Sequence, residues 1–443
     1  MPFIANTDAE RAEMLAELGL TAEDLFADIP ADARCDGLDV PDGLSEQGVR
    51  RHMARLAGRN FTNLISFLGG GFYDHYIPAA VGAIVSRSEF YTAYTPYQPE
   101  VSQGTLQAMY EYQSAVCRLT EMEVANASLY DGGTAIYEAI MMALRVTRRN
   151  RVIMDGTVNP IYRKMIVSYT SNLGIDLTEL PVNGGVTDRG RMAAELNDAT
   201  AAVVVQNPNF FGCIDDYTDL AAQAHAAGAL LIVSCYPISL GLLKTPGAMG
   251  ADIVVGEGQS LGMGLSFGGP YLGFMATRNE YLRKMPGRLA GRAADGQGRG
   301  GFVMTLQARE QHIRREKATS NICTNQGLCA LTALAYLSLL GKEGLREVAQ
   351  ACADKASYAQ QRLLELPGVK LKYPVKWYFN EFVLELPTSA ELVIRRLLDH
   401  KLAAGFPLSR YYAGMERSLL VAFTEKRTKQ EIDFLVHALE VSL

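Results

Sequence analysis

The chain runs to 443 residues, 48% of them hydrophobic and 20% charged, and its 42 basic and 48 acidic side chains leave a formal charge of −6. At roughly 150 residues per domain, this length predicts about two to three domains with a large buried core. The pI of about 5.7 excludes a general nucleic-acid binder, whose domain usually sits above about pI 9. No apolar run approaches the roughly 18 residues of a membrane helix; runs such as 201–205 and 229–233 are short. The opening residues show neither a basic start nor an apolar stretch, so no secretory leader is expected and a soluble, cytoplasmic protein is predicted. Seven cysteines at 35, 117, 213, 235, 323, 329 and 352 are odd in number and scattered, which suggests neither a disulfide framework nor a zinc site. The six histidines show no HExxH or comparable spacing, so no metal centre is predicted.

In chain order, residues 1–60 read as an N-terminal helical arm. Thr7-Asp8-Ala9-Glu10 opens one helix, Thr21-Ala22-Glu23-Asp24 resembles a second start, and Ser45 caps a third over 44–56. Residues 69–78 (GGGFYDHYIP) form a loop, because glycines and proline break both periodicities. A large α/β domain is expected over 61–325. Helical periodicity covers 106–119 and 134–146, and short apolar strands are predicted at 151–154, 201–206, 229–233 and 253–255, with 271–275 as a hairpin-like return. Apolar strands alternating with helices indicate a mostly parallel sheet covered on both faces. Ligands of such sheets bind beyond the carboxyl ends of the strands. Residues 287–301, rich in glycine and arginine, read as a mobile loop. Over 326–443, a linking helix at 327–340 leads into a small α+β domain with strands at 383–386 and 419–423 and helices at 390–402 and 429–439.

Tyr130-Asp131-Gly132-Gly133-Thr134-Ala135 comes after a predicted strand and opens a helix. Two readings stay open here. One is a phosphate cradle, in which glycines admit an anion to the free N–H groups of the helix start; the other is a tight strand-to-helix turn. The order of parts resembles the fold-type-I pyridoxal-phosphate (PLP) enzymes. Those need an aspartate at one strand end, against the pyridine nitrogen, and a lysine at the next, for the Schiff base. Here the corresponding positions hold Ser234 and Gln259, and neither side chain can do that work.

Three long stretches make the resemblance specific: 63–78 (NLISFLGGGFYDHYIP), 91–104 (YTAYTPYQPEVSQG) and 317–326 (KATSNICTNQ). They resemble the glycine decarboxylase P-protein of the glycine cleavage system, in particular subunit 1, the alpha chain of its two-chain form. The likeness covers essentially the whole chain. It implies a similar beta chain that carries the lysine and aspartate and holds PLP covalently. It also implies glycine as substrate, release of CO2, and transfer of the aminomethyl group to the lipoyl arm of the H-protein, in functional association with T- and L-proteins. The complex would be a glycine dehydrogenase (aminomethyl-transferring), built as a heterodimer or a dimer of heterodimers, with no activity in this chain alone. No nucleic-acid or membrane partner is expected.

The same resemblance suggests loops that cross to the neighbour's cofactor. Tyr91, Tyr94 and Tyr97 with Gln98 form an aromatic patch suited to a lid, or simply to dimer packing. His75 is a candidate proton shuttle across the interface, because its ordinary pKa lies near neutrality; its alternative is a structural role. Thr324 and Asn325 are candidate donors to the partner's PLP phosphate. Arg314, Arg315 and Lys317 just upstream either add charge or form a solvated basic helix. The Asp131–Thr134 turn would survive as scaffold. Two further readings are an inert structural or regulatory partner of the beta chain, and a self-sufficient PLP enzyme. The latter would need Lys164 or Lys244, neither of which sits at a predicted strand end.

Overall fold

The computed structural model describes residues 5–35, 37–266 and 268–443, and it divides into two units, Met1–Thr62 and Asn63–Leu443. In the first, helix α1 (Asp8–Leu18) starts with a capping box in which Thr7 Oγ1 accepts the Glu10 N–H and the Glu10 carboxylate accepts the Thr7 N–H. The second expected helix is only a 3-10 turn, Glu23–Phe26. Helix α2 (Glu46–Ala57) is capped by Ser45, as the sequence suggests. Leu18, Phe26 and Met53 are exposed in this unit, and none of its described residues is buried.

The second unit is built on seven strands: β1 (Val124–Ala125), β2 (Arg151–Met154), β3 (Asp176–Glu179), β4 (Thr200–Asn207), β5 (Leu230–Cys235), β6 (Ile253–Glu257) and β7 (Gly273–Thr277). Their spatial order is β1-β7-β6-β5-β4-β2-β3. β3, β2, β4, β5 and β6 pair in parallel, and β7 runs against both β6 and β1. Successive side chains on a strand point to opposite faces, so Val203, Leu231, Val233 and Val254 enter one core, and Ala202, Val204, Ile232 and Val255 the other. Helix α3 (Gln103–Thr120) packs on the first face through Tyr112 and Val116, and helix α4 (Gly132–Thr147) covers the second with Ile136, Ala139 and Ile140. Burial on both faces is why these strands read as unbroken apolar runs.

Two expectations need correction. Residues 287–301 are not a mobile loop: β8 (Leu289–Ala294) and β9 (Gly300–Thr305) form an antiparallel hairpin. Two glutamines of α3 pin it. Gln113 brackets both backbone groups of Ala290 (3.0 and 2.9 Å), and Gln103 does the same to Phe302 (2.9 and 2.9 Å). The linking helix α5 runs on to Leu363 (Gly327–Leu363), with a kink at Gly341, whose positive φ only glycine adopts easily. By length and composition α5 could cross a membrane. Burial of Ala330, Ala333 and Tyr336 in the sheet's first core is that of a core helix.

The C-terminal sheet, β10 (Lys370–Leu371), β11 (Glu381–Glu385), β12 (Phe406–Pro407) and β13 (Ser418–Ala422), runs in the order β10-β11-β13-β12 and is wholly antiparallel. Residues near the start of the unit form a separate two-stranded parallel pair in the same region. Ile65–Ser66 pairs with Leu402–Ala403, and Phe67 packs between Phe423 and the second half of α5. The chain thus returns residues 69–75 across the carboxyl ends of the parallel strands.

Candidate functional site: a filled crevice and an open cleft

The ends of β4, β5 and β6 meet at the place where an α/β sheet normally takes its ligand. The space left there is a cavity of about 20 Å³, lined by Tyr73, Asn159, Tyr162, Ser234, Tyr236 and Glu257 among others. That holds about one water molecule, whereas cofactor sites measure from about 300 Å³ upward. PLP does not fit, and the reason lies in three sets of contacts.

Gln259, which the sequence leads one to expect at the Schiff-base position, is 1% exposed. Its Oε1 accepts the Tyr73 N–H at 2.9 Å, while its Nε2 donates to the Tyr73 carbonyl at 3.1 Å and to the Met263 carbonyl at 2.8 Å. An amide supplies acceptor and donor together; an ammonium has no acceptor. The position is therefore built for glutamine.

The Tyr73 ring fills the crevice, 4.3 Å from the Tyr236 ring between centroids. Its hydroxyl donates to Glu381 Oε1 at 2.6 Å, and the Gly70 N–H donates to Glu381 Oε2 at 2.9 Å. Burial pushes the Glu381 carboxyl up to about 7 against the pull of these two donors.

Glu257 closes the third side. Its Oε2 accepts the Gly132 N–H at 2.9 Å, at the start of α4, and its Oε1 accepts the N–H groups of Gln259 (2.9 Å) and Leu272 (3.0 Å). Burial pushes this carboxyl up to about 8, opposed by the three donors. Asp131 takes the Thr134 N–H at 2.8 Å. The Gly132-Gly133 pair is demanded by protein packing. A Cβ on Gly132 would lie 2.9 Å from the Tyr162 hydroxyl oxygen, and one on Gly133 would lie 2.7 Å from Met165 Cε.

His75 meets an environment unlike the expected one. It is buried, its Nδ1 bonds Glu425 Oε2 at 2.6 Å, and its Nε2 makes a short contact with the Tyr236 hydroxyl. Both ring nitrogens are thus engaged within this chain. Burial would raise the Glu425 carboxyl, but its bonds to His75 and the Tyr76 N–H bring it below the usual range. Cys352 Sγ lies 3.5 Å from Glu425 Oε2, so the fold gathers a histidine, a cysteine and a glutamate that sequence spacing did not reveal. Hydrogen bonds account for that proximity. Lys244 binds Asp216 and Thr218 at the surface, and Lys164 faces the Tyr411 ring; neither lines the crevice.

Elsewhere a cleft of about 290 Å³ brings two separated motifs together. Tyr91, Tyr94 and Thr95 line it with Thr324, Asn325 and Leu328. Tyr94 is 77% exposed. Asn325 Nδ2 donates to the Ala127 carbonyl at 3.3 Å, and the next N–H, that of Gln326, donates to Ser128 Oγ at 2.9 Å, which together fix the cleft's floor. Tyr97 turns away from the cleft lining: its hydroxyl accepts from Arg288 Nη2 at 2.8 Å and its ring faces that guanidinium. Arg314 and Lys317 join Arg283 at a separate basic depression. Sequence reasoning missed Glu381 and Glu425, and it reached Tyr236 and Glu257 only as residues that end apolar strands, without a role.

Comparison with known proteins matches residues 1–439 to the glycine cleavage system P-protein family. A protein of Geotalea uraniireducens named "Probable glycine dehydrogenase (decarboxylating) subunit 1" is 57% identical over all of both chains. One of the same name from Solidesulfovibrio magneticus is 54% identical, again over all of both. Among solved structures, a glycine decarboxylase (P-protein) of the glycine cleavage system in inhibitor-bound form superposes with a TM-score of 0.94 at 45% identity over both full chains. The sphingosine-1-phosphate lyase of Burkholderia pseudomallei, at 16% identity, 94% coverage of each chain and a TM-score of 0.68, shares the fold alone.

Proposed function

The chain belongs to the glycine cleavage system P-protein family, and on that premise we propose that it acts as subunit 1 of a two-chain glycine decarboxylase whose partner chain holds PLP. PLP would supply the electron sink for the decarboxylation of glycine, and this chain would form no covalent bond to it. In the complex, CO2 leaves and the aminomethyl group passes to the lipoyl arm of the H-protein, in functional association with T- and L-proteins in the cytoplasm. The observation that carries this reading is the contrast between a crevice of about 20 Å³ closed by the chain's own side chains and a cleft of about 290 Å³ that joins the two motif segments.

In this reading the cleft faces the partner's active site. Tyr91 and Tyr94 exclude water from it, and Thr324 and Asn325 offer a hydroxyl and an amide to the partner's cofactor phosphate. His75 instead braces the filled crevice, through Glu425 and Tyr236. The test is to assemble Thr324→Ala, Asn325→Ala and Tyr94→Ala chains with subunit 2 and to measure complex mass, PLP retention and glycine-dependent CO2 release. Loss of a hydrogen bond to a charged group costs about 1.5–3 kcal/mol, so a fall of roughly tenfold or more is expected in intact complexes. Full turnover in all three variants would instead support the purely structural partner.

A further inference from the structure

Three separate segments, the loop 69–78, helix α5 and the residues after β13, bring His75, Cys352 and Glu425 together, with their ligand-type atoms all within 4.8 Å of one another. His75 Nδ1 stands 2.6 Å from Glu425 Oε2, and Cys352 Sγ stands 3.5 Å from the same oxygen. Around a tetrahedral zinc ion with bonds of about 2.0–2.3 Å, donor atoms lie about 3.3–3.8 Å apart. The thiol already has that spacing, and a carboxylate swing of under about 1 Å gives it to the imidazole. Glu425 is the member free to swing, since its side chain is 14% exposed against 1% for that of His75. A second, independent feature points to the same place. The Tyr336 hydroxyl, on α5, is buried and has no hydrogen-bond partner among the described residues. Burial raises its pKa, and it is near enough to Glu425 and Cys352 for their charges to raise it further. Buried hydroxyls are seldom left unpaired.

We propose that His75 Nδ1, Cys352 Sγ and Glu425 Oε2 form a site for one thiophilic divalent cation of the zinc class, with a water in the fourth position against the Tyr336 hydroxyl. A thiolate, an imidazole and a carboxylate are a donor set that selects zinc over magnesium or calcium. Thiolate and carboxylate together cancel the two charges of the ion, as a buried site requires. On binding, the Cys352 thiol releases its proton to solvent. The imidazole gives up its hydrogen bond to Glu425 and keeps one proton, on Nε2, which donates to the Tyr236 oxygen that this nitrogen already touches. Without the ion, burial and the Glu425 charge hold the thiol protonated; Lys355, which donates to the Glu425 backbone carbonyl, opposes them and leaves both carboxylate oxygens to other partners. The flanking charges are spent on one another, Asp74 pairing with Lys426 and Arg427. A bound ion would tie the loop that fills the crevice to α5 and to the C-terminal sheet. The proposal concerns this chain's own atoms and holds whichever subunit carries PLP.

The experiment titrates Co2+ into the full-length chain, reduced and stripped of metal, and then displaces it with Zn2+. Saturation at one equivalent is expected, with a thiolate-to-cobalt absorption band that Zn2+ abolishes. Cys352→Ala is expected to lose the band and to bind roughly tenfold or more weakly. Cys35→Ala and Cys323→Ala, which remove exposed thiols, are expected to keep it. Should Cys352→Ala fail to fold, X-ray absorption at the zinc edge of the wild-type complex decides, with one sulfur at about 2.3 Å and nitrogen or oxygen at about 2.0–2.2 Å expected. No thiolate band at one equivalent, a band that survives in folded Cys352→Ala, or a zinc shell with no sulfur or more than one would each overturn the proposal.

Discussion

The side-chain amide of Gln259 holds both backbone polar groups of Tyr73, accepting its N–H at 2.9 Å and donating to its carbonyl at 3.1 Å. This clamp seats the Tyr73 ring in the crevice. Replacing Gln259 with lysine would remove the acceptor and bury an ammonium with carboxyls nearby but no cavity to occupy. Gln259→Lys is therefore expected to lose about 2–4 kcal/mol of stability, read as a lower urea midpoint. A lysine variant as stable as wild type would contradict the clamp.

The buried carboxyls Glu257 and Glu381 make stability depend on pH in a definite direction. Both are raised from 4.5, to about 8 and about 7, with burial the leading cause. The folded chain keeps protons that the unfolded chain releases, so their contribution is full below the unfolded value and declines as pH rises towards the folded ones. The slope is at most about 1.4 kcal/mol per pH unit per group. The stability gap between wild type and Glu381→Gln should accordingly narrow between about pH 5 and about pH 7 in urea titrations. A gap that widens would mean that these groups work as ionised carboxylates.

The hairpin at Leu289–Thr305 tests whether the two glutamines are its fastening. Gln113 is buried and Gln103 is exposed, so Gln113→Ala is expected to cost about 1–3 kcal/mol and Gln103→Ala under about 1 kcal/mol. Backbone hydrogen exchange over 289–305 should accelerate in the same order. Equal protection in both variants would place the fastening elsewhere.

Two tyrosines of one motif should separate in their effects. Arg288 is buried, with Nε and Nη1 lacking hydrogen-bond partners among the described residues and Nη2 bound to Tyr97. Tyr97→Phe leaves the ring over the guanidinium but strips that acceptor, which is expected to cost about 1–2 kcal/mol of stability. Tyr94→Phe, on an exposed ring, should leave the thermal midpoint unchanged. Identical midpoints for the two variants would sink this division.

Much of the sheet was legible because its strands are buried on both faces and so read as apolar runs ending in polar residues. Ser234 and Gln259 fell where the sequence placed them, at or just past strand ends, and so did the glycine turn at the head of α4. The filling of the crevice was not legible, since Tyr73 meets Glu381 and Gln259 across 308 and 186 residues. No local pattern reports such contacts. The hairpin was misread because Gly291, Gly300 and Gly301 lie in its strands, where α3 glutamines supply the order that strand propensity does not. Helix α5 was cut short at Leu340 because Gly341 resembles a stop, yet the helix resumes beyond it.

The most direct test is borohydride reduction of this chain with added PLP, alone and mixed with subunit 2, then intact mass and peptide mapping. The filled crevice, with Gln259 clamped on Tyr73, and the proposed division of labour predict no stoichiometric adduct on this chain in either sample, and a single adduct on subunit 2. A specific, stoichiometric adduct on one lysine of this chain would contradict the account.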